Sequence, residues 1–435
     1  MAYLTTRQKI TYGLGGMAMS LPDSVFLQWI FMRYVPDSEH ALVQAKVFGV
    51  LYLVARVTGA LVEPLIGYWS DRFQSPSGRR LPFIRRGLIP FAIAFFLMWQ
   101  PPIQSMHWLN AIYIFITMQC YLLCFPLVLT PYLALMPELT PDSGERVTLT
   151  TLQALSMMTG SILFAAMGIV LMYGGWIAVG GTVAIVMLLS MAPTALTIRE
   201  RPAPTGKERE DLFRSIMALL QNRPFLYLVT SVTLFFFAFN CMLMALPFWV
   251  KIYLHKDDTM VAILMVPFLL MTLAFFTAVG PIVKRIGKRA AFLGTLISST
   301  AIMALFTGVG CVSLASPLIQ TAILIALMGL PITGFMVLPY ALLADVIDHD
   351  QRRTGQRREA LFFALQGTIG KIGLGFSGLA FSLLAYLGAG NTVSVLGLRC
   401  VTGLAAITSL LGFFIFLLYS LREGNEAREF QGNHT

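Results

Sequence analysis

With 435 residues, 57% of them hydrophobic and only 12% charged, the chain is far more apolar than water-soluble proteins, in which about a quarter of residues carry charge. Length alone would suggest two or three soluble domains, and long uncharged runs exclude that reading. The formal net charge of +10 does not describe a nucleic-acid surface, because the basic residues sit in short clusters between apolar runs, as they do in the loops of membrane proteins.

A helix needs about 20 mostly apolar residues to cross the hydrocarbon of a bilayer. In chain order such runs fall at 9–34, 44–70, 86–104, 108–136, 148–173, 176–197, 224–252, 259–283, 290–312, 316–344, 361–387 and 396–420. Only Tyr173-Gly174-Gly175 separates the fifth run from the sixth. The polar start MAYLTTRQKI, followed by a run too long for a signal h-region, predicts no cleaved leader. Cys120, Cys124, Cys241, Cys311 and Cys400 all lie in apolar stretches and read as small packing residues, not as disulfides or metal ligands. The prediction is an all-α membrane protein with twelve transmembrane helices.

Placing the N-terminus in the cytoplasm puts 24 of the 31 lysines and arginines on that side and 5 on the other. Cytoplasmic loops concentrate Lys and Arg, so both termini are expected inside a multi-pass cell-membrane protein. Arg56 and Lys371 remain within the apolar runs.

The longest polar stretch, 199–223, divides the chain into an N-terminal six-helix half (1–198) and a C-terminal one (224–421), with a cytoplasmic tail at 422–435. The halves repeat each other. Asp71-Arg72 and Gly78-Arg79-Arg80 follow the second run, as Lys284-Arg285 and Lys288-Arg289 follow the eighth. Pro131-Tyr132 precedes Glu138, as Pro339-Tyr340 precedes Asp345. Two six-helix repeats about an axis along the membrane normal are the plan of the major facilitator fold. In such folds the acidic residue at the end of the second helix latches one conformation against loop arginines. That makes Asp71, Arg72, Arg79, Arg80, Glu138 and Asp345 candidate latch residues.

Asp23, Arg56, Glu63 and Lys371 lie well inside apolar runs, where an ionisable group is costly unless paired or facing water. Arg56 and Glu63 are seven residues apart, two helical turns, and so share one side of their helix. Asp23 follows Pro22, which frees a backbone carbonyl and opens the helix toward a polar cavity. Uncharged polar and aromatic candidates for substrate contact in the apolar runs are Gln28, Trp29, Tyr121, Gln153, Asn240 and Gln366, whose side chains can hydrogen-bond or stack on a ligand.

The motifs Ala55-Arg56, Glu63-Pro64-Leu65-Ile66-Gly67, Ser70-Asp71-Arg72 and Gly78-Arg79-Arg80-Leu81-Pro82-Phe83-Ile84 resemble those of the glycoside–pentoside–hexuronide cation symporters. So do Ala344-Asp345 with Asp348, Thr354-Gly355, Arg358-Glu359, Leu361-Phe362-Phe363, Gln366-Gly367 and Lys371. The resemblance runs over essentially the whole chain. It implies that Asp23 and Glu63 are cation or substrate carboxylates and that Lys371 is their charge partner. The chain departs from the family where Gly59 replaces a second helix-two aspartate, Val62 precedes Glu63, and the family's helix-four sugar aspartate and helix-five arginine are missing, their places falling near Leu129 and Gln153.

These readings predict secondary active symport of a sugar or glycoside, coupled to a proton or sodium, with no cofactor, no resident metal, no nucleic-acid partner and no enzymatic activity. Transport of an amphipathic lipid such as a lysolipid, and a transporter-like sensor, are the alternatives. A sodium ion wants several oxygen ligands, and Gly59 and Val62 supply none beside Glu63; a proton needs one carboxylate that desolvation can neutralise. Proton coupling through Glu63, with Asp23, Arg56 and Lys371 balancing charge, is therefore expected.

Overall fold

The computed structural model describes residues 4–36, 40–73, 75, 78–140, 143–198, 200, 217, 219–311, 315–355, 358–387 and 392–421. All regular structure among them is helical. In chain order the helices are α1 (Thr6–Leu14), α2 (Gly16–Tyr34), α3 (Ala45–Arg72), α4 (Leu81–Met98), α5 (Trp108–Leu139), α6 (Ser143–Ala165) and α7 (Met167–Thr197). They continue as α8 (Arg223–Phe248), which runs into a π-helical turn at Trp249–Tyr253, then α9 (Thr259–Ile286), α10 (Lys288–Thr307), α11 (Pro317–Thr354), α12 (Glu359–Leu384) and α13 (Val395–Leu417).

Eleven helices among the described residues are long and apolar enough to cross a membrane. The expected first span is the one that falls short. It breaks at Gly15 into α1 and α2, and α2 carries Ser20, Asp23, Ser24, Gln28 and Arg33. Its 19 residues still reach about 28 Å at 1.5 Å each, close to the thickness of the hydrocarbon. The fifth and sixth spans part at Gly175, whose φ of 64° belongs to the left-handed region that glycine enters freely. That is the break expected at Tyr173-Gly174-Gly175.

Two expected boundaries move. Helix α4 begins at Leu81, so Arg85 and Arg86 ride on the helix and not in the loop before it; Pro82 in the first turn suits a helix start. Helix α11 continues to Thr354, ending only at Gly355 with φ 74°. Asp345, Asp348, His349 and Asp350 therefore stand on a helix, beyond residue 344 where the tenth run was expected to end. No proline or glycine interrupts the polar run 345–354, and Gly355 supplies the left-handed stop.

The chain forms two compact units. The first comprises Met1–Lys207, Leu243–Ile263 and Gly378–Gly397; the second comprises Glu208–Met242, Leu264–Ser377 and Leu398–Thr435. Within the first, α3 and α4 pack on α5, α2 packs on α6 and α7, and α1 runs along α6 and α7. Helices in lipid gain little from burying apolar surface against one another, so close packing and small residues decide their contacts. A Cβ at Gly13 would press on Leu152 at 2.6 Å, and one at Gly15 on the Tyr132 ring at 2.7 Å. The broken first helix is thereby seated against α5 and α6. Tyr12 and Tyr132 lock that seat: their rings stack at 4.7 Å, and the Tyr132 hydroxyl donates to the Tyr12 carbonyl at 2.7 Å.

The last turns of α12 belong to this unit and run along α2 and α3. Gly378 lies on Tyr52, Phe381 meets Phe31 at 5.1 Å, Ser382 sits on Gly49, and the Tyr386 hydroxyl donates to the Val35 carbonyl at 2.7 Å. The second unit centres on a buried aromatic and aliphatic core in which Phe235 and Phe335 stack at 3.8 Å, with Phe225, Phe292, Phe362 and Phe416 around them.

Candidate functional site

Helix α2 presents Asp23 and Phe26 one turn apart, and α3 presents Tyr52 and Arg56 one turn apart, both at the spacing that puts side chains on one face. These four meet. Both terminal nitrogens of Arg56 donate to Asp23 Oδ1 at 3.3 Å. The Arg56 side chain is 4% exposed, whereas that of Asp23 is 30% exposed. The guanidinium lies 4.7 Å from the Phe26 ring centre and 5.5 Å from that of Tyr52. Cation–π contact in a desolvated setting adds about 2 kcal/mol to what the carboxylate contributes. The pair answers the membrane cost of both charges.

Tyr121 of α5 closes the aromatic wall: it is fully buried, its ring lies 5.3 Å from Phe26, and it interacts electrostatically with Asp23 and Arg56. Its hydroxyl has no hydrogen-bond partner among the described residues. Gln28 is buried with the amide nitrogen likewise unpartnered. Gln153 of α6 reaches α2, donating to the sulfur of Met19, one turn before Asp23, at 3.2 Å. Trp29 turns elsewhere. Its ring meets Trp176 at 6.3 Å, and Trp176 stacks on Trp99 at 5.5 Å.

Glu63 is half-buried, two turns along α3 from Arg56. Beside it, an apolar groove of about 390 Å³ runs between α3 and α5, lined by Val62, Leu65, Ile66, Trp69, Leu123, Cys124 and Leu127. Lys371 is half-buried on α12 in the second unit. The same unit holds Asn240, whose amide donates to the Ser377 hydroxyl at 2.6 Å, and Gln366, whose carbonyl oxygen is buried without a hydrogen-bond partner among the described residues.

The side chains of Asp71, Arg72 and Glu138 lie outside what the structure describes. Arg79 is half-buried. Arg80 is buried and donates to the Ser70 hydroxyl at 2.7 Å. The carboxylate of Glu200 accepts from the Arg80 amide at 2.7 Å and from the Leu81 amide at 3.2 Å, which places an anion on the N-terminus of α4. In the second unit Lys288 binds Asp345 at 2.7 Å and 2.9 Å. At the start of the chain Glu145 holds Lys9 at 2.9 Å, the Leu4 amide at 3.1 Å and the Thr140 hydroxyl at 2.7 Å. The hydrogen bonds from Lys9 and Thr140 hold the Glu145 carboxyl below its ordinary value.

Tyr52 and Phe26 were legible in principle, standing four residues before Arg56 and three after Asp23. Glu200 gave no such signal, because it lies 120 residues from its partner Arg80.

Apolar helices long enough to span a membrane, a charge pair sunk in an aromatic wall and basic residues at the helix ends are features of a membrane transporter of the major facilitator class. The chain belongs to the family described as MFS/sugar transport protein, which matches residues 11–422. It is 24% identical over 404 residues to the isoprimeverose transporter of Lactiplantibacillus pentosus, covering 89% of this chain and 81% of that one. It is 25% identical to the glucuronide carrier protein homolog of Escherichia coli (strain K12), covering 97% and 93%. The crystal structure of the nucleoside transporter NupG superposes with a TM-score of 0.70 at 12% identity, covering 95% of this chain and 99% of that one, a likeness of fold. The resemblance drawn from the motifs is thereby borne out.

Proposed function

We propose that the protein carries a sugar or glycoside across the cell membrane in symport with a proton, with both termini in the cytoplasm, and that it catalyses no chemical reaction. The carrying observation is the Asp23–Arg56 pair inside the wall of Phe26, Tyr52 and Tyr121. A carboxylate accepts hydrogen bonds from ring hydroxyls, a phenol can donate or accept, and aromatic faces cover the apolar side of a sugar. The likeness to an isoprimeverose transporter and to a glucuronide carrier homolog supports a glycosidic cargo. Proton coupling rests on Glu63, which has Val62 before it and Gly59 one turn back, with no second carboxylate on that face. In this reading Lys371 balances Glu63 when the proton leaves, and the pairs at Asp345 and Glu200 bias the conformers between which the cargo moves.

A second reading, transport of an amphipathic lipid, is favoured by the apolar groove beside Glu63. Uptake of labelled glycosides and of labelled lysolipids into proteoliposomes, under proton and sodium gradients imposed in turn, separates the two. Glycoside uptake that follows the proton gradient is the expected result; lysolipid uptake alone would replace it with the second reading. For orientation, a cysteine at position 205 should react only with reagent admitted to the cytoplasmic side.

A further inference from the structure

The Asp23–Arg56 pair is lopsided, and the lopsidedness points to the charge of the cargo. Both Arg56 donors converge on one carboxylate oxygen, Oδ1. The guanidinium lies against the stacked rings of Phe26 and Tyr52, and its remaining nitrogen, Nε, is buried without a hydrogen-bond partner among the described residues. Asp23 Oδ2 takes no hydrogen bond from the described residues, and the Asp23 side chain keeps the larger exposure, 30% against 4%. An incoming molecule therefore meets the anionic end of the pair, while the cationic end is occupied and walled off. A carboxylate oxygen accepts from hydroxyl groups and repels a second carboxylate at the same distance. The buried Tyr121 hydroxyl, in the same wall and without a hydrogen-bond partner among the described residues, supplies a further group for a neutral hydroxyl.

We propose that the glycosidic cargo is uncharged, and that Asp23 Oδ2 is the group that rejects uronides. This rests on the reading of the site as a glycoside site. It sets the chain apart in chemistry from a carrier of glucuronides, although the two sequences align over most of their length.

The test uses matched nitrophenyl glucosides and nitrophenyl glucuronides, which differ only at the exocyclic C6, a hydroxymethyl group against a carboxylate. Counterflow is measured in proteoliposomes without an imposed gradient, so that loss of coupling does not mask binding. Neutral probes should exchange, with uronides at least about tenfold poorer, less than the full repulsion of two close charges would allow. In Asp23→Asn, which keeps an oxygen for Arg56, the preference should shrink toward equality. A binding measurement on purified, monodisperse protein repeats the comparison where exchange is too slow to read. Uronides accepted as well as neutral glycosides by the wild type would overturn the proposal and leave glycoside transport standing. Undiminished discrimination in a folded Asp23→Asn variant would also overturn it. Exchange of lysolipid with neither sugar probe would instead remove the underlying reading.

Discussion

Gly378 of α12 lies so close to the ring of Tyr52 on α3 that a methyl group at 378 would overlap Cδ1 and Cε1 of that ring. The same ring stacks on Phe26 at 5.5 Å and stands beside Arg56. The last turns of α12 thus rest, through one aromatic side chain, on the charge pair of the candidate site. Gly378→Val should push α12 off α3. In a chain whose five native cysteines are replaced, labelling of Ser382→Cys should then rise several-fold, in step with an opening cost of about 1–3 kcal/mol typical of overpacking. Unchanged labelling would show that the helix relaxes without parting.

Arg56→Met should destabilise the protein by about 1–3 kcal/mol, because it strands Asp23 against an aromatic wall. The loss stays below that of a fully buried pair since a third of Asp23 remains wet. Asp23→Asn in the same chain should recover most of it, as a neutral amide needs no counterion. Melting temperatures of both single variants and the double variant check this, and strictly additive losses would mean that the two side chains act separately.

Glu63→Gln should abolish uphill uptake while leaving downhill exchange, because an amide cannot give up the coupled proton. Sodium should change neither. Uptake stimulated by sodium at constant pH sinks the proton assignment.

Asp71→Asn and Arg79→Ala are expected to slow turnover with affinity largely intact, since a latch weights conformers and does not touch cargo. Glu200→Ala should join them. It removes the carboxylate from the N-terminus of α4, a cap of about 1 kcal/mol. Turnover and half-saturation constants measured side by side decide; weakened affinity at normal turnover would point to a cargo contact.

The Glu145 cluster gives a pH dependence with a definite sign. Its carboxyl is held below the ordinary 4.5, chiefly by Lys9 and Thr140, so its contribution is present above that value and lost as pH falls through the lowered one. The melting-temperature gap between wild type and Glu145→Gln should be full near neutrality and close in acid. A gap that persists in acid would assign the contribution to packing.

The spans after the first and the break at Gly175 were legible because hydropathy and glycine act locally. The Asp23–Arg56 pair was legible as two charges needing partners, although the sequence left open which partner each would take. What stayed hidden depends on contacts across long separations. Glu200 on the α4 terminus and Tyr386 on Val35 join residues whose sequence neighbourhoods carry no mark of each other. The length of α11 was missed because a polar helix beyond the hydrocarbon looks like a loop when only apolar residues are counted.

The Asp23–Arg56 pair also bears on how the chain is made. α2 and α3 enter the bilayer as consecutive segments, and each brings a residue that alone costs about 2.5–3.5 kcal/mol at the centre of a helix during insertion. Entering as a hairpin, with Arg56 already on Asp23, the two segments carry no net charge at that depth. α2, the least apolar of the would-be spans, gains most from the partnership. A natural or engineered sequence that loses one member of the pair therefore faces a biosynthetic penalty before any cargo is met, and the two positions are expected to change together.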